Sequence, residues 1–175
     1  MKSFIKTLLF FVLFNVPSVN ASESTGIYIS LAPALIKIDT SNASTRPTLV
    51  DVRLGYEFDA HLFELVVMSS INDDSLNQLT VDVPSVNSIF YHYLPYRDNS
   101  LKIHLIIGAS QIEVDSSYPN IADTTDTFEG ASIGLGLEEA FTSIPELKLK
   151  MDIMRLYKGD DLNINFLSIG VRYVF

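Results

Sequence analysis

The last fourteen residues, 162–175, read LNINFLSIGVRYVF and stop on an aromatic. Side chains alternate with period 2 along a strand, so Leu167, Ile169, Val171, Tyr173 and Phe175 fall on one face, and Ser168, Gly170 and Arg172 on the other. The last residues of a domain fray unless they are tied into a sheet. A terminal strand that stays apolar to its final residue therefore requires both a neighbouring strand and apolar surroundings.

The start of the chain is read separately. Lys2 and Lys6 precede an apolar run over 8–14, and Val19 and Ala21 are spaced like a cleavage site, the pattern of a secretory signal peptide over 1–21. Asn15 and Pro17 interrupt the run well short of the roughly 20 apolar residues of a spanning helix. This leaves 22–175 as one domain. Without the first 21 residues, which hold two lysines and no acid, the chain keeps 10 basic and 21 acidic residues, a net charge of −11. Such a surface repels nucleic acid. There is no cysteine, so disulfides and thiolate metal sites are excluded, and no phosphate loop, zinc-type His pair or Ca²⁺-loop spacing is present. The expectation is a chain without metal or cofactor.

Eight segments of alternating pattern follow, at about 26–39, 49–59, 61–68, 80–94, 101–113, 128–139, 146–157 and 162–175. The clearest is the second, with Val50, Val52, Leu54, Tyr56 and Phe58 against Asp51, Arg53, Gly55, Glu57 and Asp59. In the first, parity blurs at Pro33, which predicts a bulge or edge irregularity there. The pattern leaves the facing of 80–94 open. The second, fourth and sixth connections are short, and the first, third and fifth are longer. Transmembrane barrels share this asymmetry, with short periplasmic turns and longer outer loops. With no membrane-length helix after Ala21, a closed barrel is the remaining way to satisfy every backbone group inside a bilayer.

The order polar, any, Gly, apolar, any, aromatic, any, Phe, carried by Ser168, Gly170, Val171, Tyr173 and Phe175, resembles the C-terminal assembly signal of bacterial outer-membrane β-barrels. That resemblance implies recognition by the barrel-assembly machinery. The stretches FELVV, IIGASQIEVD and GASIGLGLEE are similar to those of OmpA- and OmpX-like eight-stranded barrels. The fold this implies is all-β, an eight-stranded antiparallel up-and-down transmembrane barrel in the outer membrane of a Gram-negative bacterium. It would be monomeric, in contact with outer-membrane lipid and lipopolysaccharide.

Two other readings share the alternation: a narrow channel for small solutes, and a soluble periplasmic ligand-binding barrel with its apolar face inside. An apolar face running to the end of the last strand favours the membrane. So does an aromatic girdle of Tyr56, Phe58, Phe63, Tyr93, Tyr96, Phe141, Tyr173 and Phe175 near the periplasmic ends. The inward charges are then Asp51, Glu57, Glu64, Glu138 and Asp152 against Arg53, Lys148, Lys150 and Arg172. Buried charges are costly unless paired, which predicts an ionic network that plugs the lumen. Distances from the turns put Glu138, Lys148, Arg172, Glu57 and Glu64 on one level. Catalysis is not expected, because none of His61, His92 and His104 lies beside a Ser in a motif like those of the outer-membrane lipid A deacylases or palmitoyl transferases. The acidic outer loops (Asp73, Asp74, Asp123, Asp126, Asp160, Asp161) read as solvated carboxylates, with divalent-cation collection the alternative. The expected role is structural or surface interaction, in adhesion or envelope integrity.

Overall fold

A computed structural model describes residues 25–41, 43–97 and 101–175. The signal segment 1–21 and the tip of the PYRDNS turn lie outside the described residues. Ten strands follow one another: β1 (Gly26–Thr40), β2 (Ser44–Thr45), β3 (Thr48–Phe58), β4 (His61–Asn72), β5 (Asp74–Leu76), β6 (Leu79–Arg97), β7 (Leu101–Ser117), β8 (Thr124–Phe141), β9 (Ile144–Lys158) and β10 (Leu162–Val174). Eight are long and pair antiparallel in up-and-down order. The barrel closes where β10 returns to β1, from Tyr28↔Val174 to Thr40↔Leu162. The last residue is held as well, since the Phe175 N–H donates to the carbonyl of Ile27 at 2.9 Å. Among the described residues closure leaves no long strand with an open edge. The short β2 and β5 pair with the outer ends of β1 and β6.

Hairpin register fixes the facing of each strand. The turn at Asp59 and Ala60 sets Phe58 opposite His61 and Leu54 opposite Leu65, with Asp59 in the left-handed region at φ 54°, a conformation that Asp tolerates. Outward on all sides lie Ile29, Leu31, Val52, Leu54, Leu65, Val67, Ile89, Leu105, Ile107, Ile133, Leu135, Ile153, Ile169 and Val171, all exposed. On β7 the outward face is apolar from Leu101 to Ala109, roughly 27 Å of strand at the usual rise. At a tilt of about 40° this gives a height of about 20 Å, close to the apolar band of outer-membrane barrels. Soluble monomers rarely expose continuous apolar surface on this scale, which marks a membrane-facing belt and speaks against the soluble-barrel reading. The eight aromatics of the girdle are all exposed around the end that carries the short turns. At the other end Lys37, Asn87, Gln111, Glu129, Arg155 and Asn165 face outward and mark the outer edge of the belt. Gln111 donates there to Glu129 at 2.5 Å.

Two details differ from the sequence expectations, and a third settles what the pattern left open. No bulge occurs at Pro33: burial alternates through it without a break, and the β1–β10 register is the same on both sides, Leu31↔Val171 and Ala34↔Ser168. The ring points outward, and no pairing with β10 falls at Ala32 or Pro33, so the missing N–H disturbs nothing. The register shifts that do coincide with prolines lie in β6, between Asp82 and Ser85 around Pro84 and between Tyr93 and Tyr96 around Pro95. They explain why the parity of 80–94 could not be read. Finally, β7 and β8 extend to Ser117 and from Thr124, so the longest outer loop shrinks to 118–123. Beyond the membrane both faces of a strand meet water, and pairing continues without an apolar alternation to announce it.

Candidate functional site

The lumen is divided along its length. Its periplasmic part is ionic, and its outer part is apolar. Nearest the periplasm, the Arg172 guanidinium donates to Glu138 at 2.7 Å and to Glu57. Lys102 reaches Glu57 at 2.5 Å, while Lys148 stands 3.4 Å from Glu138 and 3.8 Å from Glu57. One step outward, Arg53 gathers three carboxylates. It donates to Asp51 at 2.6 to 3.0 Å through two of its nitrogens, to Glu64 at 2.9 Å and to Asp152 at 2.6 Å. Glu64 also accepts from Lys150 at 2.5 Å and from the Tyr28 hydroxyl at 3.0 Å, with His92 Nε2 at 2.8 Å. Tyr28 joins the two tiers, because the Arg172 guanidinium lies 4.0 Å from the centre of its ring.

The backbone provides the space for this arrangement. A Cβ at Gly55 would lie 2.2 Å from the Tyr28 ring, so only glycine lets that ring lie across β3. Gly55→Val is expected to destabilise the barrel by about 1–3 kcal/mol through overpacking, read by urea titration in lipid vesicles. An unchanged midpoint would mean that Tyr28 moves aside at no cost.

Above Arg53 the interior changes character. Phe90 and Phe166 lie with ring centres 6.0 and 5.7 Å from the guanidinium. Beyond them Ile36, Ile38, Leu49, Val66, Met68, Val81, Val83, Val86, Ile106, Ile112, Val114, Met154, Leu156 and Ile164 are buried as one apolar cluster. Its principal polar feature is a serine ladder, Ser88 to Ser110 to Ser132 at 2.7 Å each and Ser132 to the carbonyl of Leu156 at 3.0 Å. Each hydroxyl is satisfied, so the ladder adds little polarity to the cross-section.

The family model for the outer membrane protein beta-barrel domain matches residues 7–175. The chain belongs to this family. Among solved members of the fold, this outer-membrane barrel is similar to the attachment invasion locus protein Ail of Yersinia pestis in complex with the heparin analogue sucrose octasulfate, at TM-score 0.66 and 15% identity over 88% of this chain and 100% of that one. It is also similar to Neisserial surface protein A, at TM-score 0.66 and 18% identity over 86% and 97%. A third likeness is to the N-terminal barrel domain of Pseudomonas aeruginosa OprF, at 0.57 and 13% over 86% and 98%. At these identities the likeness establishes the fold alone. No curated protein matches the sequence.

Of the inward residues inferred for this barrel, Asp51, Arg53, Glu57, Glu64, Glu138, Lys150, Asp152 and Arg172 are buried in the lumen, and Lys148 lies at its periplasmic mouth. Their grouping differs from the single level expected. Glu64 does not join Glu138, Lys148 and Arg172, but sits in the Arg53 tier. The hairpin register explains it: Glu57 opposes Leu62, and Glu64 lies one inward position higher, opposite Gly55. Lys102, Tyr28 and His92 were missed, although Lys102 has the parity of His104 on β7 and so carried a readable signal. With Lys102, five bases face five acids. His104 points into the lumen, its Nδ1 3.4 Å from that of His92, and His61 sits at the periplasmic turn with its Nδ1 2.7 Å from the Tyr91 hydroxyl. On the terminal strand of the barrel, Ser168 is buried inward, where Arg53 donates to it at 3.2 Å. Val171, Tyr173 and Phe175 face outward, and Phe175 is 76% exposed. A Cβ at Gly170 would meet the Leu31 carbonyl oxygen at 2.3 Å, so glycine there permits the close approach that seals β10 to β1.

Proposed function

We propose that this outer-membrane barrel has a closed lumen and serves a structural or surface-interaction role, in adhesion or envelope integrity, without catalysis or solute passage. The observation that carries the reading is the two-part filling of the lumen, charge-paired below Arg53 and apolar above it. An ion entering from the periplasm would meet a compensated network and then a dry apolar layer, which dewets rather than conducts. The narrow-channel reading has less support for that reason. Strands β6, β7 and β8 continue past the polar ring that edges the belt, with β5 added beside β6, and they offer a stiff surface outside the membrane. The name of the attachment invasion locus protein of similar fold is in keeping with an adhesive role.

The contest between adhesion and envelope integrity is open to a direct experiment. Cells making the native protein are compared with cells making a version shortened at 73–78 and 118–123, for attachment to surfaces and for detergent sensitivity. Loss of attachment alone supports adhesion, and gain of sensitivity alone supports an envelope role. Neither change, with normal amounts of shortened barrel in the membrane, rejects both.

The reading includes how the barrel reaches its place. The segment 1–21 is removed on export, and the terminal strand is recognised through Ser168, Gly170, Val171, Tyr173 and Phe175 by the barrel-assembly machinery, after which the monomer contacts lipid and lipopolysaccharide. Deleting Phe175, or Phe175→Asp, is expected to reduce the folded protein in the outer membrane severely, as read by heat-modifiable migration on gels. Native amounts of the truncated form would reject recognition through that residue.

A further inference from the structure

At the outer mouth the apolar cluster is open to solvent in a cup of about 360 Å³. Its floor is Ile38, Val81 and Val114, its walls include Phe128 and Leu162, and on its rim stand Asp126 and Asp161. Among the described residues no Lys or Arg lines it. Asp126 is placed there by register: it pairs with Val114 and shares the inward parity of Phe128. Among the described residues neither carboxylate takes part in a salt bridge or side-chain hydrogen bond. This differs from Asp74 and Asp115 nearby, which accept from the Arg46 N–H at 2.6 Å and from the Thr125 hydroxyl at 2.6 Å. A volume at the lower end of the usual range for small-molecule sites, about 300–1,000 Å³, with an apolar floor and negative rim, suits a ligand with a compact apolar body and one positive group. We propose that the outer mouth binds small amphipathic organic cations, with the apolar part against Ile38, Val81 and Val114 and the cationic group between Asp126 and Asp161. The site adds a ligand to the closed barrel, and it is blind at its floor, so binding does not entail transport.

The test uses the full chain folded in lipid nanodiscs, with the methyl signals of Val81, Val114 and Leu162 followed by NMR during titration with three probes. These are 2-phenylethylammonium, 2-phenylethanol and 3-phenylpropionate, with empty nanodiscs as the partitioning reference. The ammonium is expected to shift the cup methyls saturably, and to bind about tenfold more weakly to the Asp126→Asn/Asp161→Asn double variant, since each carboxylate contributes a water-screened attraction. The alcohol should bind no better to the native protein than the ammonium does to that variant, and the carboxylate probe should not saturate. Both substitutions lie at the outer mouth, and heat-modifiable migration checks that the variant is folded; the single variants serve if the double is not. Equal binding of ammonium and alcohol, unchanged ammonium affinity in the variants, or no saturable shift of the cup methyls with any probe would each overturn the proposal.

Discussion

Arg53→Met is expected to cost about 3–5 kcal/mol of folding free energy, the usual loss when one partner of a buried ionic group is removed and the other charges remain. Arg53 is the cation between Asp51, Glu64 and Asp152, all buried. Glu64 and Asp152 keep Lys150, at 2.5 and 3.4 Å, but Asp51 has no second base among the described residues. Methionine preserves most of the packing against Phe90 and Phe166, so the loss reports the stranded carboxylates rather than a cavity. Lys148→Ala is expected to lose less, because Lys148 lies at longer distances from Glu57 and Glu138 and Arg172 still serves both. Urea titrations in vesicles of one lipid composition read both variants. A stable Arg53→Met barrel, or a larger loss for Lys148→Ala, would contradict the tiered arrangement.

The second large effect belongs to the outer surface. Leu54→Arg and Leu135→Arg are each expected to destabilise the barrel by about 2–4 kcal/mol, the cost of a cation near the bilayer midplane. Leu54 lies midway along the outward row Val50, Val52, Leu54, Tyr56, Phe58, and Leu135 lies between Ile133 and Leu137 on β8. Asp123→Arg, in the loop after β7, should be tolerated. Asn120 is a poorer control, because its φ of 66° adds a backbone cost to any substitution by arginine. Equal stability of all three variants in vesicles would mean that the outward and inward faces are wrongly assigned.

These two predictions rest on features of unequal legibility in the sequence. Leu54 and Leu135 could be assigned because apolar residues alternate there with Asp51, Arg53, Gly134 and Gly136, and one face cannot be mistaken for the other. The same contrast placed the charged side chains in the lumen. The apolar outer half of the lumen was not readable. Around ALIKI, ELVVM and LIIG both faces are apolar, so the alternation that distinguishes lipid from interior vanishes where the interior is itself apolar. The division of charges into two tiers was also hidden, because counting residues from a turn ignores which residues the hairpin sets opposite one another. Glu64 differs from Glu57 by a single inward step, and that step changes its partners from Arg172 to Arg53 and Lys150. The strand extensions outside the membrane had no pattern to betray them, since Asp115, Ser116, Thr124 and Thr125 are polar on both faces and pair in water without an apolar alternation.

The apolar outer half also changes what loss of an ion pair should do to permeability. Arg172→Ala leaves Glu57 to Lys102 and Lys148, and Glu138 to Lys148, but keeps Phe90, Phe166 and the residues above them in place, so it should lower stability without opening a path. The closed lumen is tested most directly by single-molecule conductance in planar bilayers, with the native chain and Arg172→Ala recorded side by side. A closed lumen gives no stable open level for either protein. A steady conductance of the native barrel, large enough to pass a small solute, would contradict it.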